Sequence, residues 1–217
     1  MEGTTVAQAK LIFGANFIGH QEISAVADQL RFMPVFDLDS DLEALPWTIE
    51  DLQEKSNHFL LIRGAKRTTT GERITLKLLR DLYGVDPEVR EPCFYNQDWY
   101  FKETFFHTTT LNNKWYLIRK ELTLETRGQP PSELQELFAG SFPSAILTAY
   151  AFFAFYFHSK GQRLWDVDFS WCSDADHNGD MIYTGRYTDP SGVNKSGFNI
   201  HRHLGIRPCH GLATSYE

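Results

Sequence analysis

The chain has 217 residues and a formal net charge of −7, with 42% hydrophobic, 23% charged and 14% aromatic residues. This balance is typical of a globular protein and excludes a disordered or fibrous chain. The negative charge excludes the basic surface with which nucleic-acid-binding proteins contact phosphates, and it argues against a polybasic membrane-surface protein. We therefore expect no nucleic-acid partner.

The N-terminal part of the chain begins with two helical patterns. Residues 24–30 have apolar side chains at helical spacing, and Pro34 ends that pattern. Thr48, with Asp51 three residues later, has the form of a capping box and predicts the start of a short helix.

A strand pattern and a further helix complete this part. Residues 59–62 are a short apolar run typical of a buried strand, and residues 75–83 predict a helix. The polar, proline-bearing stretch 86–92 is the best linker candidate. We therefore predict a small N-terminal α/β extension over residues 1–88 and a second domain over residues 89–217.

The second domain opens with a strand pair followed by two helices. Residues 99–106 and 114–122 have strand patterns, residues 132–138 predict a short helix, and residues 144–158 predict a strongly apolar one. The apolar run at 145–157 is shorter than the roughly 20 residues that a spanning helix needs, so we predict a buried core helix and no membrane insertion. The N-terminus lacks the pattern of a secretory signal.

The last third carries the clearest local signals. Asn-Gly at 178–179 separates strand patterns at 168–172 and 181–188, which predicts a hairpin with a type I′ turn and positive φ at both turn residues. Further strands are predicted within 193–203 and 204–209. The predicted fold class is therefore α+β, with two helices followed by an antiparallel meander.

The three cysteines, Cys93, Cys172 and Cys209, cannot all pair within the chain because their number is odd. No CxxC spacing indicates a zinc ribbon or a redox motif. Either Cys172 and Cys209 form one bridge, or both are buried thiols.

Two sequence patterns suggest a metal-binding site. Residues 174–180 match the first half of a calcium-binding EF-hand loop, but Gly185 stands where the bidentate glutamate belongs, and a hairpin turn explains the same Asn-Gly. His201 and His203, with His210 beyond, could share a metal, but the sequence identifies no third ligand, and exposed strand histidines are the alternative. Since a nucleophile elbow and a phosphate-binding loop are also lacking, we predict no cofactor and no catalytic residue.

The C-terminal run resembles the C-type lectin fold over about residues 94–209. The resemblance rests on F-S-W-C-S (169–173), I-Y-T-G-R-Y (182–187) and L-G-I-R-P-C (204–209), after two helices. Within that fold, the resemblance is to the branch that includes the formylglycine-generating, sulfatase-modifying enzymes and the variable proteins of diversity-generating retroelements. The sugar-binding motifs of calcium-dependent lectins are missing.

The retroelement family implies a non-enzymatic display protein at a virion or cell surface, with a protein or other surface molecule as ligand and an oligomeric state left open. In that family, adenine-directed mutagenesis rewrites the segment at about 170–205. Its favoured targets are Asn codons of the AAC or AAT type, and changing their adenines cannot give Trp, Met or Lys, so Trp171, Met181 and Lys195 are expected to be fixed framework. The residues compatible with variation, and so the predicted ligand-binding residues, are Asp176, His177, Asn178, Tyr187, Asn194, Ser196, Phe198, Asn199, His201 and His203.

Two other functions remain open as alternatives. One is a sulfatase-modifying oxidase that uses Cys172 or Cys209. The other is a calcium-dependent carbohydrate-binding lectin that uses the loop at 174–180.

Overall fold

The computed structural model describes residues 3–36, 44–84, 91–191, 196–202 and 205–217. Within these ranges the chain is a mixed α+β protein. Its helices are α1 (Val6–Phe13), α2 (His20–Ala25), α3 (Ala27–Leu30), α4 (Ile49–Lys55), α5 (Leu76–Tyr83), α6 (Thr104–Thr108), α7 (Pro131–Leu137) and α8 (Ala145–His158). Its strands are β1 (Thr4–Thr5), β2 (Phe17–Ile18), β3 (Ala44–Leu45), β4 (Phe59–Arg63), β5 (Trp115–Arg119), β6 (Phe169–Ala175), β7 (Met181–Tyr187), β8 (Gly197–His201), β9 (His210–Gly211) and β10 (Ser215–Tyr216).

The described strands form two four-stranded sheets and one two-stranded ribbon. The first sheet has the order β10-β5-β4-β2 and the second has the order β8-β7-β6-β9, while β1 pairs with β3. Strands β6, β7 and β8 are an antiparallel meander, as predicted, and β9 is parallel to β6.

Helix α8 is the centre of the core. Every residue from Ala145 to Phe155 is buried, and the helix contacts β2 of the first sheet as well as β6, β7 and β8 of the second. Ser144 caps its first turn, accepting a hydrogen bond from the Leu147 N–H at 3.3 Å. The predicted core helix is confirmed. In the described ranges no helix is long and apolar enough to cross a membrane.

The two halves of the sequence share this core. Strands β2 and β4 precede the predicted boundary at residue 88, whereas β5 and β10 follow it, and all four belong to one sheet. Ile62, Ile118 and Phe198 lie in the same buried cluster. The proposed linker lies largely in residues 85–90, outside the described residues, but the boundary does not separate two cores.

Several local predictions are confirmed at the level of single elements. Thr48 and Asp51 form the capping box of α4, with Asp51 N–H donating to Thr48 Oγ1 at 3.2 Å. Thr75 caps α5 in the same way, accepting from the Leu78 N–H at 3.2 Å. Strands β4 and β5 and helix α7 lie where the sequence predicts them.

The strand predicted at 99–106 is wrong. The segment is a 3₁₀ turn, Trp99–Lys102, followed by α6. The rings of Tyr100 and Phe106 lie 5.1 Å apart, which an extended chain cannot achieve because six residues of strand span roughly 20 Å. The many aromatic residues of this segment suggested a strand. In the structure, packing of their rings against one another favours a turn and a short helix instead.

Three other boundaries differ from prediction. The helix at 24–30 is split into α2 and α3 at Val26. The described residues 205–209 are not a strand, and β9 begins only at His210 because Pro208 cannot donate a ladder hydrogen bond. Helix α1 was not predicted.

Candidate functional site

The hairpin between β6 and β7 has a turn built around Asp176. Its Oδ1 accepts hydrogen bonds from the N–H groups of Asn178 and Asp180 at 2.9 and 3.1 Å, and its carbonyl accepts from the Gly179 N–H at 3.0 Å. Of the predicted turn pair only Gly179 has a positive φ, at 87°. The type I′ prediction is therefore wrong, since the geometry is that of a longer hairpin loop with glycine at its left-handed position.

His177 and Asn178 are exposed at this hairpin tip, which we define as residues 176–180. The carboxylate of Glu103, only 4% exposed, accepts from the His177 N–H at 2.9 Å and lies 2.8 Å from His177 Nδ1. Because Nδ1 faces the carboxylate, Nε2 is the ring nitrogen left to face a ligand.

Arg202 fastens the tip to the preceding segment. Its Nη1 donates to Asp176 Oδ2 at 2.7 Å and lies 3.4 Å from Glu103 Oε1. Its guanidinium carbon lies 4.4 Å from the centre of the Trp99 ring, a cation–π contact. Sequence reasoning missed Glu103, Arg202 and Trp99 because their partners are far away along the chain, and no local pattern marks them.

Tyr187 and Ser196 are half-buried at the other end of β7. The Tyr187 ring lies 4.4 Å from that of Tyr95, and burial together with the neighbouring Tyr187 and Asp189 raises the pKa of Tyr95. Ser196 Oγ accepts from the Asp189 N–H at 3.2 Å. These contacts connect the second end of the strand to the segments at Tyr95 and Asp189.

His201 lies between the two ends, on β8 opposite Tyr183 of β7. It is half-buried, and its ring is stacked on Tyr183 at 5.7 Å with an interplanar angle of 28°. Phe169 and His210 lie close by, and the Tyr183 and His210 rings are 4.6 Å apart. His201 therefore belongs to an aromatic cluster and is not the freely exposed strand histidine that the sequence suggested.

Three of the predicted ligand-binding residues are buried. Asp176, Phe198 and Asn199 have exposures of 6%, 0% and 1%, so they are not available to a ligand at the surface. Phe198 and Asn199 point to opposite faces of β8, and both faces are covered. Its outer edge is closed too, because the chain at Cys93 passes so near that a Cβ on Gly197 would lie 2.5 Å from the Cys93 carbonyl oxygen. Asn194 and His203 lie outside the described residues.

The framework predictions have clear structural counterparts. Trp171 is buried, and its Nε1 donates to the Gln129 carbonyl at 3.3 Å. Met181 is half-buried against the same cluster. The third framework residue, Lys195, lies outside the described residues.

Cys172 and Cys209 are free thiols, so the bridge between them is not formed. Cys172 is fully buried, and this burial raises the pKa of its thiol strongly. Its sulfur contacts Thr184 Oγ1 at 3.3 Å, and Thr184 in turn donates to Thr148. A thiol held protonated inside the core is a poor nucleophile.

Two carboxylates of the candidate calcium loop, those of Asp174 and Asp176, accept hydrogen bonds from protein donors. Asp174 accepts from the Ala145 N–H at 2.6 Å, and burial raises its pKa. Asp176 is engaged by Arg202 and by the turn. Across the part of the chain that the structure describes, no three His, Cys, Asp or Glu side chains are grouped to hold a metal.

No family model, curated protein or solved structure matches this chain. Its function therefore has to be argued from the geometry above.

Stability is expected to fall as the pH is lowered from 6.5 to about 4. Burial, reinforced by the charges of His210 and Arg207, lowers the pKa of His201 from 6.5 to about 4, and burial and Arg207 lower that of His210. The unfolded chain takes up these protons near pH 6.5 while the folded protein does not, so acid favours unfolding across this window. Above about pH 6.5 this loss of stability does not occur.

Thermal unfolding at about pH 7 and about pH 5 measures this effect. The melting temperature should be lower at the acidic pH, and His201→Gln should reduce the difference because one of the two sites is removed. Equal melting temperatures of the unmodified protein at both pH values would contradict the placement of His201 in a desolvated cluster.

Proposed function

We propose that this chain is a non-enzymatic ligand-binding protein that displays variable side chains on a C-type lectin-like C-terminal region. In this proposal a diversity-generating retroelement rewrites the segment at about 170–205, and the ligand is a protein or another surface molecule. Two helices followed by an antiparallel meander are in keeping with such a region, although this arrangement alone does not identify the fold.

The observation that carries the proposal is the division of roles within the second sheet. Ile182 and Phe198 pack into the core around α8 and are fully buried. His177 and Asn178 reach solvent from a tip that Glu103 clamps through two contacts. A rigid platform with replaceable outward groups is what a variable binding protein requires, because ordering costs are then small.

Burial reduces the number of predicted ligand-binding residues that a ligand could contact. The described residues that combine compatibility with adenine-directed variation and at least partial exposure are His177, Asn178, Tyr187, Ser196 and His201. Their chemistry matches that of antibody paratopes, in which Tyr supplies contact area at low entropic cost and Ser or Asn supplies adaptable hydrogen bonds. Phe198, Asn199 and Asp176 leave the displayed set because they are buried.

The two alternatives have less support. The oxidase alternative needs a reactive thiol, and Cys172 is inaccessible in the core. The calcium-lectin alternative needs free carboxylates, and those of Asp174 and Asp176 accept protein hydrogen bonds.

The DNA around the gene tests the proposal. We expect a reverse transcriptase gene and a near-copy of the sequence that encodes about residues 170–205. The two copies should differ at adenines in the codons of exposed residues such as His177, Asn178 and Tyr187. The codon of the buried Phe198 is the matched control and should be unchanged.

Two results would overturn this assignment. One is the absence of such a repeat at this locus and at the loci of related genes. The other is adenine-linked substitution that is as frequent in the codon of Phe198 as in that of His177, since display and burial exclude each other.

A further inference from the structure

A polar cleft lies on the first sheet, and none of its lining residues belongs to the proposed displayed set. It has a volume of about 270 Å³ and is formed where α4 ends, β4 begins and β5 ends. Its lining residues are Glu54, Lys55, His58, Phe59, Arg119, Thr123, Glu125, Phe138, Thr214 and Tyr216. None of these was singled out by the sequence.

Two aromatic rings and two cations are held together in the cleft. The rings of Phe59 and Tyr216 lie 5.9 Å apart. The Arg119 guanidinium carbon is 5.7 Å from the centre of the Phe59 ring, and Lys55 Nζ is 5.9 Å from the centre of the Tyr216 ring. Each cation is thus oriented by a ring beside it.

Among the residues that the structure describes, two buried polar atoms of the lining have no hydrogen-bond partner. They are the hydroxyl of Thr123, a residue only 6% exposed, and Nε of Arg119. Arg119 Nη2 lies 3.8 Å from Glu121 Oε1. Because a buried polar atom without a partner costs stability, two such atoms in one cleft wall point to a missing ligand group.

We propose that this cleft binds a small carboxylate, of the size and charge pattern of a free α-amino acid. Rotation of the Arg119 and Thr123 side chains toward the cleft would present a guanidinium fork that fits the two oxygens of a carboxylate, together with a hydroxyl donor. Glu54 and Glu125 supply negative charge for an ammonium group, and the rings of Phe59 and Tyr216 supply an apolar surface.

The mixed charge of the lining favours a zwitterion over other small ligands. A phosphate dianion would meet the carboxylates of Glu54 and Glu125 at the same wall as Arg119 and Lys55. A neutral sugar would leave the guanidinium fork without a matching anion. The site shares no residue with the displayed set, so its occupancy is independent of the function proposed above.

Isothermal titration of the full chain tests the proposal, with glycine, L-leucine and L-glutamate as amino-acid probes. Acetate, inorganic phosphate and glucose represent a bare carboxylate and the two competing ligand classes. At least one amino acid should bind more tightly than all three. Thr123→Val should weaken that binding about tenfold, since it removes a single hydrogen bond of about this worth. Arg119→Lys should weaken it further, because it keeps the charge and removes the fork.

If the Thr123 hydroxyl only supported the fold, its removal would lower the melting temperature. Thr123→Val keeps the shape of the side chain and removes an unpartnered hydroxyl, so its melting temperature should be equal to or above that of the unmodified chain. Lys77→Gln, on the exposed surface of α5, is the control and should bind normally. No binding by any amino acid, tighter binding of phosphate or glucose, or unaltered affinity in both cleft variants would overturn the proposal.

Discussion

Replacing Phe198 with alanine is expected to lower the free energy of unfolding by about 3–5 kcal/mol. The ring is fully buried, and its centre lies 5.4 Å from that of Phe94 and 5.3 Å from that of Phe152. Truncation removes these contacts and leaves a cavity that α8 and the second sheet cannot close by small shifts. Denaturant unfolding at neutral pH, compared with that of the unmodified chain, measures the loss.

Phe101→Ala is the matched control, because the same side chain is removed from a position that is 44% exposed. Its cost should be clearly smaller, at about 1 kcal/mol. If both variants lose the same stability, Phe198 is not the core residue that the structure places beneath the sheet. In that case it would return to the set of residues available for display.

Arg186→Met is expected to cost about 3–5 kcal/mol, because it breaks a buried ion-pair network. The Arg186 side chain is only 9% exposed and pairs with Glu91, itself 11% exposed, through both Nε and Nη2. Nη1 also donates to the Asp166 carbonyl at 3.0 Å and to the Asp166 carboxylate at 2.7 Å. Met fills a similar volume but leaves the Glu91 carboxylate with less compensation in a desolvated setting.

Arg163→Met provides the comparison, since Arg163 pairs with the same Glu91 from a position that is 39% exposed. Water can replace an exposed partner, so this variant should lose about 1 kcal/mol or less. Chemical denaturation of both variants measures the two losses in the free energy of unfolding. Equal losses would show that burial of Arg186 does not set the strength of the network.

The sequence patterns predicted structure best where the stabilising interactions join residues that are close together in the chain. The core helix α8 follows from a continuous apolar run preceded by Ser144, and α4 follows from the capping box at Thr48. Such signals depend on residues within one or two turns of each other. The same kind of signal was present and overlooked at α1, where Thr5 and Gln8 form a capping box.

The candidate site was predicted only in part. His177 and Asn178 are exposed as expected, because a turn next to Asn-Gly normally faces solvent. Phe198 and Asn199 were assigned to display because they are compatible with adenine-directed variation, yet both are buried. Alternation along a strand distinguishes its two faces, but it does not reveal whether a second layer covers the outer one.

By itself, the sequence of this protein determined the fold class, the antiparallel meander, the position of most helices and the general location of exposed turn residues. Only the tertiary structure decided that both halves of the chain share one core, that Glu103 and Arg202 clamp the hairpin tip, and that Arg119 and Thr123 meet in a cleft. The physical reason is distance along the chain. His177 and Glu103 are 74 residues apart, and no local periodicity carries information about such a contact.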